Sequence, residues 1–298
     1  MRSDQQPGQR DFSGLYPIRE FARLTGVNPV TLRAWERRYG ILQPQRTDKG
    51  HRFYNDDDIQ QVRLILYWLE QGYPIRQVKL LLQDTPQPQP SDQDDEWQEH
   101  NDALLRACEA MNLRQLDKLW TEGFANYPMA VYYQHCLSPV LFVLRPKSHL
   151  LYQVFVQQLK RKLACLVQHQ QKHNQGEPLL MLTNHADAEL ELLAIAYALG
   201  AAAFRVEYLG HELNISDVDQ ACQQLNCQHL WLHFSPLYRQ NEQQWLTFLD
   251  SKAQHLCFIT GIEIEKPKSQ HLLLPQAFSE KIKFFITNQK LQSSKELT

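Results

Sequence analysis

The segment from Tyr16 to Tyr54, YPIREFARLTGVNPVTLRAWERRYGILQPQRTDKGHRFY, limits what this chain can fold into more than any other stretch. Ile18, Phe21, Ala22 and Leu24 recur at helical spacing, and Thr25-Gly26 closes that helix with a residue able to take positive φ. Asn28 is placed to cap a second helix, with Pro29 at its first position and Val30 to Tyr39 as its body. Beyond Gly40, a break at Pro44 precedes two short extended arms joined by Asp48-Lys49-Gly50, which is turn chemistry.

Two short amphipathic helices joined by a tight turn and followed by a hairpin fit a helix-turn-helix with a wing, the second helix being the one that enters a DNA groove. The charge agrees. The whole chain of 298 residues carries a formal net charge of -2. Between Tyr16 and Arg52, however, eight basic residues stand against Glu20, Glu36 and Asp48, a local balance of +5. Near the start of the second helix, Asn28, Val30, Thr31 and Arg33 are the expected readers of base edges, Arg33 through a bidentate contact to guanine. Arg37 and Arg38 are expected on phosphate, as is Arg46 with Lys49, His51, Arg52 and Tyr54 around the wing. Trp35 suits a ring packed between the two helices; its indole N–H is the alternative, a phosphate donor.

The run Val30-Thr31-Leu32-Arg33, Arg37-Arg38-Tyr39-Gly40-Ile41-Leu42 and Arg46-x-x-x-Gly50-x-Arg52-x-Tyr54 resembles the winged-helix head of MerR-type transcription regulators. NPVTLRAWERRYG followed by PQRTDKGHR is similar to the MlrA branch, regulators of curli and biofilm-matrix genes. In such heads a further helix pair completes the core, and here Asn55 with Asp56 to Asp58 caps one helix while Ile75 to Leu82 forms the other.

The remainder divides by texture. Residues 1–14 are polar and read as disordered, 15–84 form the head, and 85–96, with alternating prolines and then acids, read as a stiff solvated linker. Metal- and drug-sensing MerR proteins continue here into a dimerising helix, so dimer contacts are expected elsewhere in this chain. Residues 97–175 carry four amphipathic segments, a helical bundle. Residues 176–298 alternate short apolar strands with helices, which gives an α/β Rossmann-like parallel sheet closed by a strand at Ile282 to Ile286. The fold class is therefore multidomain: a winged helix-turn-helix, a helical bundle and a Rossmann-like domain. Six scattered cysteines without a Cys-x-x-Cys pair, and no apolar run of membrane-spanning length, predict a reduced, cytoplasmic protein with no membrane association.

A bundle followed by a Rossmann-like sheet behind a MerR-type head resembles the light-sensing cobalamin repressors. The stretch from Phe204 to Gly210, with Ser235 and Gly261, follows their cobalamin domain in outline. The ligand residues do not follow. Counting from Gly210, the cobalt-coordinating His position falls on Ala188 and the following Gly position on Glu191, and the motif covering the upper cobalamin face falls near Tyr152-Gln153. No cofactor is expected. His185, Asp187, Glu189 and Glu191 suggest a metal by composition only, since alternate residues of a helix point to different sides. Ser235 lacks the glycine-flanked elbow of a hydrolase nucleophile, and no phosphate-cradling glycine loop is present. No enzyme activity is expected. The resemblance implies a homodimer on double-stranded promoter DNA that activates RNA polymerase indirectly by distorting the promoter, with a cyclic-di-GMP-pathway protein as partner of the rear half. The alternative is a ligand- or cobalamin-type light-responsive repressor.

Overall fold

The computed structural model describes residues 14–82, 91–227, 229–235, 237, 242–251, 256–261, 271–275 and 277–295. The polar stretch 1–13 and the prolines at 86, 88 and 90 lie outside these residues. The head contains strand β1 (Tyr16–Pro17), helix α1 (Ile18–Thr25) and helix α2 (Pro29–Ala34), whose last turn widens to π geometry over Trp35–Tyr39. Strands β2 (Gln45–Arg46) and β3 (Arg52–Tyr54) make the wing, followed by α3 (Asp56–Glu70) and α4 (Ile75–Leu81). The three strands pair antiparallel in the order β1-β3-β2. As the sequence indicates, Asn55 closes a capping box with Asp58 and starts α3.

The bundle contains five helices: α5 (Ser91–Glu109), α6 (Leu113–Asn126), α7 (Met129–Tyr132, running on as a π turn over Tyr133–Leu137), α8 (Ser138–Lys147) and α9 (His149–Gln171). The acidic half of the expected linker is a correction. α5 already begins at Ser91, because a serine followed by several acids is a helix-start sequence whose charges suit the positive end of the dipole.

The rear domain alternates β4 (Leu179–Thr183), α10 (Glu189–Ala201), β5 (Val206–Gly210), α11 (Ile215–Leu225), β6 (His229–His233), α12 (Glu242–Ser251), β7 (Leu256–Thr260), β8 (His271–Leu273) and α13 (Phe278–Lys295). All five strands are parallel, in the order β5-β4-β6-β7-β8. Their apolar runs are continuous because both faces are covered. Leu180, Leu182, Leu230 and Leu232 share a core with Val218 of α11 and Trp245 and Leu249 of α12. Met181, Trp231 and Phe258 turn the other way, with Trp231 and Phe258 against Phe285 of α13. The strand expected at Ile282–Ile286 is a second correction: it is helical, and Phe278, Ile282 and Phe285, at i, i+4 and i+7, form one buried face. A period near 3.6 prevails there over a short apolar run.

Candidate nucleic-acid interface

The local folding of α2 follows from its first residues. Asn28 Oδ1 accepts the Val30 backbone N–H at 2.8 Å, and Pro29 fills the position whose N–H would have no partner. Gly26, at φ +75°, ends α1 with its N–H on the Ala22 carbonyl. Phe21, Leu32, Trp35, Leu42 and Tyr54 are all buried and join the two helices to the wing. Each such aromatic withdraws roughly 150–250 Å² from water, about 4–6 kcal/mol gross.

The wing is held by one carboxylate. Glu36, on the π turn after α2, accepts from Arg46 through Oε1 and from Arg52 through Oε2, so one side chain bridges the two arms that pair as Arg46↔Arg52. Burial pushes the Glu36 carboxyl up, but the hydrogen bonds from Arg52 and Arg46 outweigh it and hold it below the usual carboxylate range. At the tip, the Gly50 N–H reaches the Thr47 carbonyl at 2.8 Å and the Thr47 N–H reaches that of His51 at 3.0 Å, with Gly50 at φ +80°. Lys49, His51 and Arg46 are exposed, and Arg52 is half-buried.

On α2, Val30 is 51% exposed, Arg37 and Arg38 are exposed and Arg33 is half-buried. Val30 and Arg33 help line a cleft of about 640 Å³ together with Arg19 and Arg23 of α1, His169 and Gln170 of α9, and His173 just beyond it. Two of the residues expected at DNA, Tyr54 and Thr31, are inside the protein, as is Trp35, whose ring the sequence already suited to packing. Tyr54 is fully buried, its ring 4.0 Å from that of Phe21 and 9° from parallel, and is a core residue of the head. Burial raises its phenol to about 12. Thr31 and Trp35 are also fully buried, but for another reason: the bundle covers them. Trp35 Nε1–H donates to the Asn126 carbonyl at 2.8 Å, and the Thr31 hydroxyl makes a long 3.4 Å bond to the Phe124 carbonyl. Arg38 donates to Asn126 Oδ1 at 3.0 Å, and Asn28 Nδ2 donates to the Tyr197 hydroxyl of α10 at 3.3 Å. Sequence reading missed this cover, because no local pattern links α2 to residues that far along the chain.

At the sheet, the loops after β4 and β6 meet where the strand order reverses. Asp187 accepts from the Ser235 hydroxyl at 2.8 Å, and its other oxygen is 2.7 Å from His185 Nδ1. The serine hydroxyl is thus bonded to a carboxylate, with the imidazole on the carboxylate's far oxygen and not on the hydroxyl. Glu189 pairs with Lys160 at 2.9 Å and Glu191 with the buried Lys281, so the acids are taken one by one by cations. Among the described residues, no group of three or more side chains of metal-ligating type converges. His233 is buried on Thr260 Oγ1 at 2.6 Å, and burial lowers it to about 4. His211 and His229 sit by Glu189 and Glu177 at 3.6 and 3.3 Å. No helix among the described residues is long and apolar enough to cross a membrane.

Comparison with known proteins agrees with this geometry. Residues 16–85 match the MerR HTH family regulatory protein profile. The chain is 34% identical over 205 residues to the HTH-type transcriptional regulator MlrA of Salmonella typhimurium strain LT2, covering 67% of this chain and 82% of the relative. Its counterpart in Escherichia coli K12 is 33% identical over 204 residues, with the same coverage. The HTH-type transcriptional repressor CarH of Myxococcus xanthus is 25% identical over 228 residues, covering 69% of this chain and 74% of that protein. A capped second helix, a clasped basic wing and relatives that span most of its length place the chain in the MerR family of helix-turn-helix transcription regulators, in the neighbourhood of MlrA.

Proposed function

We propose that this regulator binds a two-fold promoter site as a homodimer and activates a biofilm-matrix gene by distorting the promoter, so that RNA polymerase engages both of its elements. The observation that carries the reading is the Glu36 clasp. It fixes the basic wing to the reading helix as one rigid unit, so helix and wing address groove and backbone in a set register. Val30 and Arg33 read base edges. Arg37, Arg38, Arg46, Lys49, His51 and Arg52 hold phosphates, and Asn28 and Thr31 join Val30 and Arg33 at the base edges when α2 is free of the bundle. The rear domains take signal input from a protein of a cyclic-di-GMP pathway; the chain performs no catalysis and works in the cytoplasm. The choice of target and sign comes from the resemblance of NPVTLRAWERRYG and PQRTDKGHR to the MlrA branch.

Likeness to CarH favours a second reading, a repressor with a tetrapyrrole between bundle and sheet. The residues do not fit cobalamin. Ala188 and Glu191 stand where an imidazole and a glycine would be needed, and Tyr133 of the bundle stacks directly on Phe278 of α13 at 4.1 Å, across the space between the layers. The test is selection of duplexes from a random DNA pool by the full chain, followed by sequencing. An enriched two-fold motif is expected; repeated rounds without enrichment would sink the DNA reading, and a visible-region chromophore on the purified protein would favour the second.

A further inference from the structure

One flank of α2, beside the exposed Val30 and Arg37, is already occupied. Thr31, Leu32, Ala34 and Trp35 are at most 3% exposed, and while Leu32 belongs to the head's own core, Thr31 and Trp35 make their polar contacts with the last turn of α6. The groups that meet them are of one kind. The final carbonyls of a helix lack intrahelical partners and carry the negative end of its dipole. The Phe124 and Asn126 carbonyls are two of these, and they accept from the Thr31 hydroxyl and the Trp35 indole, while Asn126 Oδ1 accepts from the Arg38 guanidinium. A hydroxyl and a guanidinium are donors of the kind that DNA-binding proteins place on phosphate oxygens, and the indole N–H is a third hydrogen-bond donor beside them. A major groove about 12 Å wide admits one helix and not a second laid against it.

We infer that the C-terminal end of α6 competes with DNA for α2: it takes the Thr31, Trp35 and Arg38 donors beside the exposed face of that helix, and DNA must displace it to bind. This rests on the DNA reading above and adds its regulation. Tyr197 of α10, donating nothing to the head but accepting from Asn28, extends the cover from bundle to sheet domain. A signal that shifts α6 or α10 would thereby reach the reading helix. Each docking bond is exchanged on opening for one to water, so these bonds add only a small net preference for the closed form, within reach of a partner or a DNA site.

The test uses the full chain and the DNA site selected as described above. Asn126→Arg places a cation against Arg38, and Tyr197→Phe removes the hydroxyl that accepts from Asn28 without adding charge. Both are expected to raise specific DNA affinity, Tyr197→Phe by roughly two- to tenfold for one hydrogen bond lost from the competing state. Asn126→Asp, which pairs with Arg38, should lower it. Without DNA, solvent exchange of the Trp35 indole N–H, followed by NMR, should be faster in Asn126→Arg and slower in Asn126→Asp. Unchanged indole exchange across the three variants would overturn the inference, as would equal DNA affinity in all of them. Failure of the wild type to select any site overturns the DNA reading instead, and the indole exchange still reports whether α2 is docked.

Discussion

Tyr54 lies flat on Phe21, ring centroids 4.0 Å apart, and its hydroxyl is buried without a hydrogen-bond partner among the described residues. The last residue of the wing is therefore held by its ring, and the phenol oxygen is a cost to the fold. Tyr54→Phe is expected to stabilise the protein or leave it unchanged, because it removes a desolvated hydroxyl. Tyr54→Ala should cost about 3–5 kcal/mol by opening a cavity. Chemical denaturation of the pair checks both, and lost DNA affinity in a fully folded Tyr54→Phe would return the hydroxyl to the interface.

Glu36 gives the head an acid-sensitive joint. Its folded pKa lies below the ordinary 4.5, so the clasp contributes stability at any pH above that value and loses it as pH falls from 4.5 through the depressed folded value. Glu36→Gln should melt below the wild type at neutral pH, and the difference between the two should shrink as the solution is acidified below 4.5. Melting curves over that range decide it, and a constant difference would mean that the clasp is not ionic.

His233 works over a different window. Buried and neutral, it titrates near 4 in the folded chain against 6.5 when exposed. Between those values the unfolded chain binds the extra proton, so this group withdraws stability as pH falls from 6.5 towards 4. His233→Gln should lose stability at neutral pH by weakening the Thr260 contact, yet show a flatter decline across that window. Denaturant titrations at intervals of pH measure the slope.

Arg33 and Arg46 should fail differently. Arg33→Ala is expected to weaken binding to the selected site by roughly 1–3 kcal/mol and relax its sequence preference, the cost of a lost base contact. Arg46→Ala should weaken all duplexes alike and lower the salt slope by about 1, the behaviour of a phosphate contact. Binding titrations over a salt series separate them; identical salt dependence in the two variants would count against the assigned docking.

Gly261 marks a close approach inside the sheet domain. At φ +85°, a Cβ added there would lie 1.8 Å from the Phe234 carbonyl oxygen, and backbone cannot step aside as a side chain does. Gly261→Ala should destabilise the sheet domain by about 2 kcal/mol or more, visible as a lowered denaturation midpoint.

What the sequence by itself determined is everything that depends on neighbours a few residues away. Asn28, Pro29 and Gly26 set the ends of the two head helices, Asn55 with Asp58 starts α3, and four apolar runs became the strands β4 to β7. Caps, turns and hydrophobic period act over one or two helical turns, so they can be read without a fold. Short-range ambiguity explains the errors of that kind: KIKFFIT reads as a strand until Phe278 and Lys281 reveal its helical face, and the acids after Pro90 read as linker until they become the first turns of α5. What only the tertiary structure decided is which face of α2 is available. Trp35 meets a carbonyl 91 residues along the chain and Asn28 a hydroxyl 169 residues along it, and neither partner carries any pattern that names the other. The same donors can serve a phosphate or a helix end; packing, which brings α6 against α2, selects the helix end in this state.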